Sequence, residues 1–208
     1  MPSIYQLKPA FQNLLRPLVR TLAAIGVTAN MVTVAAMLLS VAVGMLLWKY
    51  AGERWVLWLL PTALLVRMAL NAVDGMLARE HNMQTRLGAF LNELGDVVSD
   101  SALYLGFGFV VLSLPFAMSL IVLLVVLAIT SEMTGVLAQA LGGTRRYDGP
   151  MGKSDRAFWI SLIAVLLAGE VEAGLWVSIA LGLIALMTAL TIVNRVGRAI
   201  RETERVNK

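Results

Sequence analysis

The chain has 208 residues, 59% of them hydrophobic, with 14% charged and a mean hydropathy of +0.79. Soluble domains carry roughly a quarter charged residues, and the apolar residues here fall in long, nearly uncharged runs at 31–48, 55–71, 102–129 and 174–193, which excludes a small soluble core. Cysteine is absent and His81 is the single histidine, which excludes disulfides, thiolate metal sites and a multi-histidine centre. The net charge of +4 is distributed by loop, which points to membrane topology rather than to nucleic acid.

Residues 4–20 carry Ile4, Leu7, Phe11, Leu14, Leu15 and Leu18 at helical spacing, with Arg16 and Arg20 placed for headgroups. This pattern predicts an N-terminal amphipathic helix lying in the interface, broken by Pro9 and Pro17. The segment lacks a short apolar core followed by a small-residue cleavage site, so no signal peptide is expected.

Thr28 or Asn30 can cap a first spanning helix that runs to about Trp48. A second is expected over about 55–80, a turn at 85–88, and a third over about 88–112. Pro115 marks a turn before a fourth, at about 116–141. The Gly-rich basic loop 142–156 leads to a fifth helix at about 154–169, whose strictly apolar part is short. A sixth covers about 173–193, and a charged tail follows from Arg195. A spanning helix needs roughly 20 apolar residues for a ~30 Å hydrocarbon core, and barrel strands are shorter and alternate. The expected fold is all-α: one polytopic membrane domain over residues 1–208, with six transmembrane helices.

Six crossings put the N-terminus, the turn near Arg79 and Arg86, loop 142–156 and the tail on one side, with nearly all Lys and Arg residues. The opposite loops hold Lys49, Arg54, Glu170 and Glu172. The positive-inside bias places both termini in the cytoplasm, and the expected location is the inner membrane of a bacterium.

The second and third helices carry a polar cluster. Asn71, Asp74, Gly75, Ala78 and Arg79 are spaced to share one helix face, and Asn92, Asp96 and Asp100 follow at steps of four. A short turn lets the two faces meet near the cytoplasmic end. Polar groups at membrane depth are costly and functional by default. Unpaired, Asp74 and Asp96 would repel each other and resist desolvation, and a divalent cation would relieve both penalties. Oxygen ligands suit Mg²⁺, Mn²⁺ or Ca²⁺ rather than zinc. On spacing alone, a set of interhelical hydrogen bonds or an ion pathway fits as well.

The stretch from Asn71 through Asp74, Gly75, Ala78 and Arg79, then eight residues, then Gly88, Asn92 and Asp96 resembles the motif D-x-x-D-G-x-x-A-R, eight residues, G-x-x-x-D-x-x-x-D of the CDP-alcohol phosphotransferases. Six of the eight fixed positions match across 26 residues with unbroken spacing. Thr28, Asn30 and Thr33 reproduce the family's Thr-x-Asn-x-x-Thr start of the first span. The resemblance implies that Asn71, Asp74, Asn92 and Asp96 hold one or two divalent metals, Mg²⁺ or Mn²⁺. It implies that Asp74, Gly75, Ala78 and Arg79 hold the diphosphate and cytidine of a CDP-linked lipid. Asp96 is then the base that activates an acceptor alcohol, and CMP is released. A homodimer through membrane helices is a further implication. The departure is that Asn71 and Asn92 replace two acids, which weakens a second metal. A catalytically weak lipid- or nucleotide-binding relative and a transporter remain the alternatives.

The resemblance also implies that basic residues of loop 142–156 bind lipid or acceptor phosphate, with Lys153 and Arg156, and Arg145 beside them, as candidates, and the basic loop leans towards a phosphorylated acceptor. Arg145 and Arg146 are equally suited to headgroup contact. Glu132 is expected to pair within the bundle or at a dimer contact, and Arg67 to meet Asp100, Glu93 or the acceptor.

Overall fold

The structure, a computed structural model, describes residues 4–206 and the side chains of residues 11–204. It is all-α: α1 (Ile4–Ala24), α2 (Ala29–Lys49), a short 3-10 helix (Arg54–Trp58), α3 (Leu59–Glu80), α4 (Arg86–Val110), α5 (Ala117–Ala140), α6 (Lys153–Ala168) and α7 (Leu175–Val206). Four stretches are long and apolar enough to cross a membrane: Ala29–Lys49, Arg54–Glu80, Ala117–Ala140 and Leu175–Glu204. Of the other three α-helices, the two expected to cross depart for different reasons. In α4 the apolar run is interrupted by Glu93, Asp96 and Asp100, and α6 has only 16 residues.

Local chemistry sets the helix starts. Thr28 is the N-cap of α2, its side chain accepting from the Met31 N–H, and Thr85 caps α4 by accepting from Gly88 N–H at 2.8 Å. The stretch expected to form the turn before the third span therefore begins the helix, two residues earlier than predicted. Asp155 closes the start of α6 by accepting from the Gly152 N–H at 2.9 Å. α1 is continuous through Pro9 and Pro17, contrary to the expected break. Val19, fully buried, packs with Leu15 and Leu22 against Val73, Met76 and Leu77 of α3, and this packing outweighs the hydrogen bond that Pro17 cannot donate. The side chains of Ile4 and Leu7 lie outside the described residues.

The packing has a simple order. α2 lies against both α3 and α4, α4 continues the bundle to α5, and α5 packs on α7, while α6 leans on α3 and the 3-10 helix. α3 and α4 face each other across a cleft into which Asn30 and Thr33 of α2 project. α2 and α4 approach closely because Gly44 and Gly106 meet at their crossing. A methyl group on Gly106 would lie 2.6 Å from the Gly44 carbonyl oxygen. Small residues at a helix crossing are the usual route to close packing in lipid, where burial of apolar surface gives little drive. Two buried hydroxyls bond within their own helices, Ser40 to Ala36 O at 2.7 Å and Thr188 to Ile184 O at 2.7 Å. Leu38, Met45, Val126, Met133, Ile179 and Leu183 are exposed around the outside, as a lipid-facing surface requires.

Polar contacts sort the connections into two ends. At one, Arg16 meets Glu80 at 3.1 Å, Asn30 meets Thr85 at 3.3 Å, and Arg146 meets Glu202 at 2.5 Å. At the other, Arg54 meets Glu170 at 2.8 Å and Ser178 donates to Pro115 O at 2.5 Å. Glu202 lies on α7, which carries the predicted charged tail onward as helix to Val206.

Candidate functional site

Asn71, Asp74, Gly75, Ala78 and Arg79 all line one cavity of about 590 Å³, together with Asn30, Thr33, Gly88 and Asn92. The helix spacing read from the sequence thus does bring the two halves of the motif together. Asp74 is buried and accepts from Thr33 Oγ1 at 2.8 Å. α2 therefore supplies a direct partner to the site, a contact that the motif alone did not assign. The motif glycines have steric roles. A methyl group on Gly75 would stand 3.0 Å from Arg79 Nη2, so the guanidinium lies over the bare backbone there. One on Gly88 would meet Asn30 Oδ1 at 2.6 Å, so this glycine admits α2 to the start of α4. Among the described residues, no carboxylate lies within 4.0 Å of Arg79. Its charge faces the cavity unneutralised.

Asp96 is not among the residues that line this cavity and is joined to it through Asn71. Arg67 Nη2 donates to its Oδ1 at 3.0 Å, the Lys153 ammonium contacts the same oxygen, and Asn71 Nδ2 reaches it at 3.5 Å. Arg67 also pairs with Asp100, which resolves the alternatives left open for it. Asp100 is buried and lies 3.8 Å from Arg156. It is locked between two guanidinium groups and does not make up for a missing motif acid. Arg156 is fully buried and bonds Glu132 at 3.3 Å and Met151 O at 3.3 Å. Glu132 also gathers Arg145 at 3.6 Å and Arg195 at 3.8 Å, and Arg145 contacts Glu93. Glu93 therefore points away from the Asn92 face, as its step of one predicts.

The sequence places Arg195 at the start of the charged tail. It is buried, with Nη1 donating to Ser131 O at 2.5 Å and Nε to Asp148 O at 3.2 Å. The sequence did carry a signal for this: Thr188, Thr191 and Arg195 fall at helical spacing on one face.

A second cavity, about 480 Å³, opens between α3 and α6. Leu64, Leu65, Met68, Ala157 and Phe158 make most of its wall apolar, and Lys153 and Arg67 lie at its polar edge. Asn71 lines both cavities.

The donor set can be tested for a divalent ion. Asn71 turns its amide nitrogen to Asp96, which leaves Oδ1 as an acceptor, and Asn92 adds a second amide at the cavity wall. With Asp74 and Asp96 these are oxygen donors of the kind Mg²⁺ and Mn²⁺ take. They suit one ion. Two would share only two carboxylates, one of which already meets Arg67 and Lys153. Among the described residues, no group of three or more His, Cys, Asp or Glu side chains is arranged to hold a metal.

Residues 26–193 match the family model for CDP-alcohol phosphatidyltransferase. The chain belongs to this family. It is 46% identical over 193 residues to inner membrane protein YnbA of Escherichia coli (strain K12), covering 93% of this chain and 94% of the relative. An uncharacterized protein of Aquifex aeolicus (strain VF5) is 30% identical over 195 residues, covering 92% and 91%. The fold is shared with Mycobacterium tuberculosis phosphatidylinositol phosphate synthase (PgsA1) with CDP-DAG bound. The TM-score is 0.75 at 23% identity, with 88% of this chain and 92% of that chain covered. The same enzyme in complex with manganese and citrate gives a TM-score of 0.74 at 22% identity, covering 88% and 87%. With its apolar helices and lipid-facing surface, the chain is an integral membrane protein.

Proposed function

We propose that this protein transfers a phosphatidyl group from a CDP-linked lipid, such as CDP-diacylglycerol, to an alcohol and releases CMP. The observation that carries the reading is the unneutralised Arg79 guanidinium lying over Gly75, in a polar cavity that shares Asn71 with the apolar cavity between α3 and α6. A diphosphate needs the first environment and an acyl chain the second, and a CDP-lipid has both. Arg79 binds phosphate oxygens as a planar donor, and Gly75 and Ala78 leave room for the nucleotide. Thr33 holds the Asp74 carboxylate in place.

The acceptor hydroxyl approaches Asp96. Arg67 and Lys153 hold that carboxylate in place, where it can take the hydroxyl proton. The acceptor oxygen forms a bond to the β-phosphorus as the bond from that phosphorus to the bridging oxygen breaks, and CMP leaves with the bridging oxygen. Asp74, Asp96 and the amide oxygens of Asn71 and Asn92 would hold one Mg²⁺ or Mn²⁺, which would supply charge stabilisation at the phosphoryl oxygens. Lys153 borders the lipid cavity and can meet its phosphate, whereas buried Arg156 supports the site through Asp100.

The reading extends to topology. All six of α2 to α7 cross the membrane, α1 lies in the cytoplasmic interface, and both termini and the site face the cytoplasm. The short α6 and the charged α4 cross because their polar residues face partners within the bundle. The protein works as one membrane domain, with a second copy as its expected partner and no role for nucleic acid.

The test is CMP release from CDP-diacylglycerol in nanodiscs with Mn²⁺ or Mg²⁺ and a panel of alcohols. Asp96→Asn is expected to lower the rate by roughly 10²-fold or more while CDP-lipid binding persists. Binding without release across the whole panel would leave a lipid- or nucleotide-binding relative, and neither binding nor release would sink the proposal.

A further inference from the structure

The sequence of loop 142–156, with Arg145, Arg146, Lys153 and Arg156, suggests a ready anion site for the acceptor. The structure assigns its charges otherwise. Arg145 meets Glu93 of α4 and Glu132 of α5. Arg146 meets Glu202 at 2.5 Å and Asp148 at 3.6 Å. Arg156 meets Glu132 and Asp100, Lys153 meets Asp96, and Arg195 from α7 meets Glu132. Arg67, the remaining cation beside Asp96, is divided between Asp96 and Asp100. Every cation on the acceptor side therefore has a carboxylate partner, and the partners come from helices that a reading of the loop alone does not see. Arg79, on the nucleotide side, has none among the described residues.

We infer that the acceptor alcohol carries no phosphate, and that Glu132 sets this specificity by neutralising the arginines of α6, α7 and the loop between α5 and α6. The inference rests on the transferase reading. A phosphomonoester dianion brought to Asp96 would have to displace Glu132 or Glu93 from its arginine, or lie against those carboxylates with its charge unmatched. Like charges placed together at a site cost several kcal/mol. A neutral or zwitterionic alcohol meets no such opposition.

The experiment uses the full chain in nanodiscs with CDP-diacylglycerol and Mn²⁺, and matched acceptor pairs: glycerol against glycerol phosphate, inositol against inositol phosphate, serine against phosphoserine. CMP release should come from an unphosphorylated member, with kcat/KM roughly tenfold or more above its phosphorylated partner. A preference for the phosphorylated member would overturn the inference and leave the transferase reading standing. No release from any member would overturn both. Glu132→Gln keeps the shape and removes the charge, so it should move the ratio towards the phosphorylated acceptor. Should that variant prove unfolded by its melting profile, Glu93→Gln, which frees Arg145 alone, makes the same test. A folded variant with an unchanged ratio would remove Glu132 from the role.

Discussion

At the scale of single residues the site is defined by a balance between two carboxylates and the cations around them. Asp74 is held by a neutral hydroxyl, Thr33, rather than by a cation. Asp96 is shared between Arg67 and Lys153. Asn71 and Asn92 supply oxygens without charge. Affinity for a hard divalent ion rises with the number of charged ligands, so Asn71→Asp and Asn92→Asp should each tighten Mn²⁺ binding, by roughly tenfold. The double variant should take up a second ion. Electron paramagnetic resonance of free Mn²⁺ during a titration reads both quantities without any turnover, and an unchanged stoichiometry in the double variant would argue against the amides as metal positions. The motif made most of these residues legible, because helical spacing fixes which side chains share a face. The ion pairs were less legible. Arg67 could reach several acids from its place on α3, and only the rotation of α4 decides for Asp96 and Asp100. Glu132 and Arg195 lie far apart in sequence and meet through the packing of α5 on α7.

At the scale of helices, the cleft exists because α2 brings α3 and α4 to a fixed separation. One tight contact is the crossing of Gly44 with Gly106, where the Gly44 backbone occupies the space a side chain on Gly106 would need and the Ala102 backbone the space one on Gly44 would need. Gly106→Leu should therefore push α4 away from α2 and widen the cleft. Overpacking a tight contact costs typically 1–3 kcal/mol, and here the obstacle is backbone, which cannot rotate aside. The expected result is a lower thermal midpoint in detergent together with weakened CDP-lipid binding. A midpoint like that of the parent chain would show that the crossing has slack. Helix positions were readable from the sequence to within a few residues, since apolar runs and the caps Thr28 and Thr85 mark them directly. The exceptions have physical causes. Pro17 lies inside α1 because packing of Val19 on α3 outweighs a local loss. α7 continues past the apolar run because Arg195 finds backbone carbonyls and Glu132 inside the bundle. A reading by hydropathy stops at the first charge, whereas the helix stops where its partners end.

At the scale of the whole molecule, the distribution of charge and the pairing of loops point to the same arrangement by different routes. The basic residues cluster in the N-terminal segment, the turn after α3, the loop after α5 and the end of α7. The Arg16–Glu80 and Arg146–Glu202 pairs lie at that end of the bundle, and the Arg54–Glu170 pair closes the other. Lys and Arg near the ends of spanning helices stay on the cytoplasmic side, so the end that holds Arg79 should face the cytoplasm. A chain that lacks cysteine allows this to be read one position at a time. Glu53→Cys and Glu172→Cys, both exposed at the far end, should react with a membrane-impermeant maleimide in bacterial spheroplasts. Gln84→Cys and Arg201→Cys, exposed at the basic end, should react only after the membrane is opened. Labelling of Glu53→Cys and Gln84→Cys from opposite sides requires an odd number of crossings between them, which the joined 3-10 helix and α3 provide as one span. The more demanding pair is Gln84→Cys with Arg201→Cys. If α4 and α6, the two helices that hydropathy passes over, both cross, these positions share a side. If only one of them crosses, they part, and the cleft that holds Asp74 and Arg79 could not be reached from the side where a soluble nucleotide is released.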